Sequence, residues 1–374
     1  MRVYLDNAST TPLLPEVINK MNEILNDDFG NPSSIHSYGR RAKSIVENAR
    51  KIVSKAINAS IGEIFFTSSA TESNNMVLKN AVDSLQIKKI ISSPTEHHCV
   101  LHTLDYLVKN KNIEISYVHV DNQGNINLTE LSKLLDASEG RTLVSIMHGN
   151  NEIGSMIDLI KVGELCRSHE AYFHCDTVQT VGKYNIDVQK SPISFLSGSA
   201  HKFHGPKGAG FVYINNENMI GPFIHGGSQE RNMRAGTENV AGIAGLALAL
   251  ENSCANMQNH YDKIYKLRTS FKKLLVSEFD DIIFNGNQDN NFLAHILSVS
   301  FPPGPKADML VLNLDIAGIC ASSGSACTAG IEEDSHVLQA INHPNNRKTI
   351  RFSFSPFNTE KELIYTIEQL KGIT

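Results

Sequence analysis

The chain has 374 residues, 41% of them hydrophobic, and a formal net charge of −5. That length suits two domains or one large one, and the mild charge argues against a nucleic-acid footprint or a membrane patch. Residues 240–250, the longest apolar-leaning run, are too few and too rich in Gly and Ala to span a bilayer, and residues 1–6 lack the apolar stretch of a signal peptide, so a cytoplasmic location is expected.

Short apolar runs alternate with helical patterns along the first two thirds of the chain. Residues 63–67 read as a strand and 73–82 as a helix. Strand patterns follow at 89–92, 113–120, 142–147, 171–175 and 193–196, with helices from about residue 100 and over 159–168. This order predicts an α/β domain with a mostly parallel sheet, whose ligands gather at the carboxyl ends of the strands. A long amphipathic helix is expected over 261–279, then a strand at 296–301 and a final helix from about residue 359. A boundary near residue 255 separates a smaller α+β part. None of the six cysteines forms a C-x-x-C pair, which argues against structural zinc, and disulfides are not expected in a reducing compartment.

Five polar clusters fall just after these strands. Ser197-Gly198-Ser199-Ala200-His201-Lys202 places a lysine in a crowded polar loop, where its pKa can fall far enough for attack on an aldehyde. Asp176, after the strand ending in Cys175, can cap a helix or hold a protonated pyridine nitrogen, with Gln179 three residues on. Thr67-Ser68-Ser69-Ala70-Thr71-Glu72 runs a strand into a helix start, which suits a phosphate, and Ser69 with Glu72 reads as a capping box. Thr95-Glu96-His97-His98 offers one imidazole to stack on a cofactor ring and act as acid or base, with His98 incidental. Arg351, in the apolar run Ile350-Arg351-Phe352, needs a carboxylate partner from protein or substrate. Asn150-Asn151 adds amides at the same sheet edge. Finally, Ser322-Ser323-Gly324-Ser325-Ala326-Cys327-Thr328-Ala329-Gly330 sets a thiol among residues too small to bury much apolar surface, so a flexible loop with a reaching cysteine is expected. Together these parts describe an enzyme using pyridoxal 5'-phosphate.

The chain resembles the class I cysteine desulfurases of the NifS/IscS type. The resemblance lies in residues 4–12, Ala70-Thr71-Glu72-Ser73-Asn74-Asn75, Thr95-Glu96-His97, Asn150-Asn151-Glu152-Ile153-Gly154, Ser199-Ala200-His201-Lys202, Arg234-Ala235-Gly236-Thr237 and residues 322–328, in family order along nearly the whole chain. It implies a fold-type I pyridoxal-phosphate enzyme. Residues 14–255 would form the large cofactor-binding domain around a mostly parallel seven-stranded sheet. Residues 1–13 and 256–374 would form the smaller α+β domain carrying the catalytic cysteine. It implies Lys202 as the Schiff-base lysine, Asp176 at the pyridinium nitrogen, Gln179 at the ring hydroxyl and His97 stacked on the ring. Ala70, Thr71, Ser199 and His201 would hold the phosphate, and Thr237 the phosphate of a neighbouring subunit in a homodimer. Asn151 and Arg351 would orient the carboxylate of L-cysteine. Cys327 would be the nucleophile that takes up sulfur as a persulfide, and a transient iron–sulfur ligand. Sulfur would pass to an acceptor or an iron–sulfur scaffold protein, with neither nucleic acid nor membrane as partner. The chain stops at Thr374, where IscS-type members continue into a scaffold-docking tail, which favours the NifS-like branch. A selenocysteine lyase would need the same residues, and an aminotransferase on this fold would have no use for the thiol.

Overall fold

Seven short strands form one sheet in a computed structural model that describes residues 1–304, 309–323 and 335–373. Their spatial order is Ile64–Thr67, Gly210–Ile214, Phe195–Ser199, Tyr172–Asp176, Thr142–Ser145, Lys89–Ser92 and Glu114–Tyr117. Gly210–Ile214 runs antiparallel to both its neighbours, and the other pairings are parallel. This is the mostly parallel seven-stranded sheet that the alternation of runs predicts.

The period of two along these strands builds two cores from one sheet. Phe66, Ile91, Val144, Phe173, Leu196 and Phe211 point into a core shared with the helices Pro15–Asp27, Ser37–Ala56, Leu159–Ser168 and Val240–Ala255. Phe65, Ile90, Leu143, Phe195 and Val212, each one residue away, point into the core under Ala70–Ser84 and His98–Lys111. With both faces covered, central strands have no need of polar alternation, and their residues are buried throughout.

A separate four-stranded antiparallel sheet orders Ser322–Ser323, Lys348–Ser353, Ile296–Phe301 and Ile283–Asn285. Its apolar face packs against Met257–Glu278, Leu310–Ile316 and Glu360–Ile373 in a core of its own. Val3–Tyr4 pairs with Ile319–Cys320, so the N-terminus joins this second assembly.

Several elements escape the sequence pattern, among them two helices and one central strand. The helices Pro15–Asp27 and Ser37–Ala56 precede the first predicted strand. Strand Gly210–Ile214 follows the loop-like run Gly205-Pro206-Lys207-Gly208 and opens on a glycine of its own. That glycine is required, because a Cβ on Gly210 would sit 2.9 Å from the backbone of Ser69 at the helix start opposite.

One buried ion pair ties the edge strand Ile64–Thr67 to the segment before Thr237. Glu230 accepts from Arg50 Nη1 at 2.7 Å and Nη2 at 2.9 Å, and from the Phe66 N–H at 2.8 Å. Arg50 also donates to the Ile64 carbonyl. Removing one partner strands a buried charge. Glu230→Ala is therefore expected to cost about 3–5 kcal/mol, and the paired change Arg50→Met with Glu230→Leu far less. Thermal unfolding of the three proteins checks this.

Candidate functional site

Five parallel strands end at one edge, at Thr67, Ser92, Ser145, Asp176 and Ser199, and a cavity of about 370 Å³ opens there. Ala70, Thr71, His97, Asn151, Asp176, Gln179, Ser199, His201, Lys202 and Arg351 all line it. Residues from six separate stretches thus meet where an α/β sheet is expected to bind its ligand.

Asp176 is the buried anion of the site. Its Oδ2 accepts from Asn74 Nδ2 at 2.7 Å and its Oδ1 from the Val178 N–H at 2.9 Å. No helix follows Asp176 directly for it to cap: the Val178 N–H closes a turn on the carboxylate, which lines the cavity. Lys202 follows its strand in a short 3₁₀ turn and donates to the Ala8 and Ser9 carbonyls at 2.7 and 2.8 Å.

The helix Ala70–Ser84 points its N-terminus into the cavity, so the N–H groups of Ala70 and Thr71 have no intrahelical acceptor. The expected capping box is half formed. Ser69 Oγ accepts from the Glu72 N–H, but the Glu72 carboxylate accepts from the N–H and hydroxyl of Ser68 instead. Arg234 also draws that carboxylate away, pairing with it at 2.8 Å, and holds its pKa below the usual value.

His97 is itself the N-cap of His98–Lys111. Its Nδ1 accepts from the Cys99 N–H at 3.1 Å, which leaves the ring proton on Nε2. Burial lowers its pKa, with Asp176 opposing, so the ring is neutral with a donor to offer. His201 is pushed down to about 4 by burial and by Lys202, and pairs with the Thr10 hydroxyl. Cys99 lines the same cavity, yet burial and Asp176 push its thiol up to about 12. Cys175 is fully buried in the sheet core, and Cys99 is no better suited as a nucleophile.

Arg351 is held by protein through both terminal nitrogens. Nη2 donates to Asp6 Oδ1 at 2.9 Å and Ser9 Oγ at 2.6 Å, and Nη1 to the Asn151 carbonyl at 2.8 Å. Its buried Nε finds no acceptor among the described residues. That orphan donor suits a second carboxylate. Lys202, Asp176, the open helix start and Arg351 thus match, in order, an aldehyde, a ring N–H, a phosphate and an amino-acid carboxylate. The residues present fit pyridoxal phosphate.

Thr237 is not brought into this cavity. It lines a separate one of about 180 Å³ with Ser68, Glu230 and Arg234. Cys327 lies outside the described residues. His98, read as incidental, lines the cavity with its ring centroid 4.5 Å from that of His336. Sequence reasoning missed His336 and Glu152. Glu152 stands inside a quoted motif, but nothing in the motif says that its carboxyl is buried and accepts from Ser335 Oγ at 2.5 Å.

The sequence matches the Aminotransferase class-V family over residues 3–365. It is 42% identical to a cysteine desulfurase IscS of Dictyoglomus turgidum, over 99% of this chain and 94% of that relative. A solved NifS-like protein superposes with a TM-score of 0.92 at 37% identity, over 100% of this chain and 99% of that one. A solved SspA in complex with cysteine superposes with a TM-score of 0.82 at 31% identity, over 96% of this chain and 100% of that one.

Burial raises the Glu152 pKa from 4.5 to about 7, against the opposing pull of Ser335 and Arg351. A carboxyl with a raised folded-state pKa gives its full stability below its unfolded value and loses it as pH climbs through the folded one. Glu152→Gln, which can still accept from Ser335, is expected to gain on the parent protein between pH 5 and pH 8, by up to about 3 kcal/mol. Melting curves of both proteins across that range provide the check.

Proposed function

The chain belongs to the class-V aminotransferase family and is a cysteine desulfurase dependent on pyridoxal 5'-phosphate, and we propose how its residues divide the work. The reading is carried by the convergence of Lys202, Asp176, His97 and Arg351 on one cavity at the carboxyl edge of the sheet. Residues 14–255 are the cofactor-binding domain, and residues 1–13 with 256–374 the smaller one. The separate apolar cores under the two sheets support that division.

Lys202 holds the cofactor covalently, Asp176 pairs with its ring nitrogen, and Gln179 meets its ring hydroxyl. His97 stacks on the ring. Ala70, Thr71, Ser199 and His201 hold the phosphate. Bound there, pyridoxal phosphate supplies the electron sink that lets the substrate α-carbon give up its proton. Arg351 and Asn151 grip the carboxylate of L-cysteine, which turns the α-carbon toward Lys202. Lys202, once free, accepts the α-proton at Nζ.

Cys327 attacks the substrate sulfur as a thiolate. The new bond is between the two sulfurs; the substrate carbon–sulfur bond breaks with its electron pair left on the β-carbon, which takes up the proton released by Cys327, and the carbon skeleton leaves as L-alanine. An unperturbed thiol is only a few per cent ionised at neutral pH. His97 is the group proposed to manage that proton, at Nε2. The persulfide then passes to an acceptor, an iron–sulfur scaffold protein among them.

The enzyme acts as a cytoplasmic homodimer in this reading. No helix among the described residues is long and apolar enough to cross a membrane. Thr237 stands outside its own chain's cavity, and Phe29 and Ile35 are 71% and 91% exposed, as a partner-facing surface would be.

Cys327→Ser is expected to keep the bound cofactor and its visible absorbance while losing sulfide and alanine release from cysteine. Full sulfide release by that variant would move the nucleophile elsewhere. Lys202→Ala is expected to lose the visible band of the lysine-bound cofactor, and its survival would move the lysine role to another residue.

A further inference from the structure

A line of polar side chains leaves the cavity through Gln179 and ends at a lysine that the reaction does not use. Gln179 Nε2 donates to the Ala8 carbonyl at 2.9 Å, the same carbonyl that receives Lys202 at 2.7 Å. Gln179 Oε1 lies 3.1 Å from His295 Nε2, and Lys183 Nζ lies 3.2 Å from that same nitrogen. Gln179 is 4% exposed and His295 2%. Lys183 and His295 border a second cavity of about 40 Å³, with His204, Tyr184 and Tyr261.

The donors and acceptors in this line can be assigned from one end. A carbonyl only accepts, so Ala8 fixes the Gln179 amide with its nitrogen toward the site and its oxygen toward His295. An oxygen there requires the proton on His295 Nε2. That nitrogen, with its proton committed to Gln179, has no lone pair left to accept from Lys183, so a Lys183 ammonium gains no hydrogen bond there. Lys183 forms no ion pair among the described residues, and burial with the nearby Lys202 charge brings its pKa down to about 7. Burial keeps the His295 ring neutral, and the cations Arg351 and Lys202 act in the same direction. His204 and His260 stand on the far side of the second cavity, and burial lowers the pKa of each.

We propose that His295 is a positioning residue for the cofactor, which, backed by an uncharged Lys183 amine, locks Gln179 with its amide N–H toward the cofactor's ring oxygen. The inference rests on the reading of Gln179 as the ring-hydroxyl contact. A donor held there stabilises the ring oxygen as an anion, and so eases loss of the proton shared with the lysine–cofactor linkage. Without His295 the Gln179 oxygen loses its partner and only the Ala8 carbonyl still holds the amide, so the donor is less firmly placed.

The test is a pH titration of the cofactor's visible band in the holoenzyme. Gln179→Leu is expected to raise the midpoint by about one unit, tenfold in the acid constant. His295→Leu should raise it by at least half as much, and the double variant no further than Gln179→Leu alone. His295→Gln, which keeps an N–H at the Nε2 position, should restore the parent midpoint. Lys183→Met should move it by less than about 0.2 unit, since an uncharged amine takes no charge away with it. If His295→Leu does not hold its cofactor, His295→Asn, too short to reach Gln179, takes its place with the same expectation. An undiminished His295 shift in the Gln179→Leu background, no His295 shift at all, or a rise of about one unit in Lys183→Met would overturn the inference. A midpoint unmoved by Gln179→Leu would overturn the reading of Gln179 itself, and the inference with it.

Discussion

The site depends on a short segment, residues 5–11, which bends through a turn at residues 7–9 between two sheets that otherwise have separate cores. On one side Leu5 and Asn7 hydrogen-bond the backbone of Ser353, and Ser353 Oγ accepts from the Ala8 N–H. On the other side the Ala8 carbonyl receives both Lys202 and Gln179, and Thr11 bonds the His201 carbonyl through its N–H and its hydroxyl. Asp6, from the same segment, holds one edge of Arg351. Groups that would grip opposite ends of a ligand are thereby spaced by the backbone of one strip. A shift in that strip moves Lys202, Gln179 and Arg351 together.

Desolvation decides the charge state of almost everything else around the cavity. His97, His201 and His295 are all pushed toward the neutral ring, while Glu152 is pushed toward its protonated form. Neutral imidazoles offer one donor and one acceptor each, so their roles are fixed by neighbouring bonds rather than by pH. The Cys99 N–H takes Nδ1 of His97, and the Gln179 oxygen takes Nε2 of His295. Asp176 is the carboxylate of this wall that carries the cavity-facing oxygens. It is positioned by an amide and a backbone N–H, neither of which neutralises it.

The sheet was legible because buried parallel strands read as unbroken apolar runs, and the cavity residues because each follows such a run. Asp176, Lys202 and the Ser69 helix start all sit within a few residues of a strand end. Gly210–Ile214 was hidden by the glycines around it: Gly208 makes a turn at positive φ, but Gly210 serves the close approach to Ser69. The partners of Arg351 and Gln179 were beyond reach for a different reason. Asp6 and Arg351 are 345 positions apart and Gln179 and His295 are 116 apart, and no local period links them. His295 sits one residue before a predicted strand, where a buried histidine carries no mark of the amide it faces.

The behaviour of Cys99 explains why the reactive thiol has to come from elsewhere in the chain. A cysteine built into the cavity wall is desolvated and faces Asp176, and both effects favour the thiol over the thiolate. Closeness to the substrate then works against reactivity, because the packing that fixes the sulfur also keeps it protonated. A nucleophilic cysteine must instead sit where little apolar surface surrounds it. The run Ser325-Ala326-Cys327-Thr328-Ala329-Gly330 has that composition, with no large side chain to enclose the sulfur. If Cys327 is the proposed nucleophile, the small residues beside it in the sequence answer an electrostatic requirement as well as a steric one.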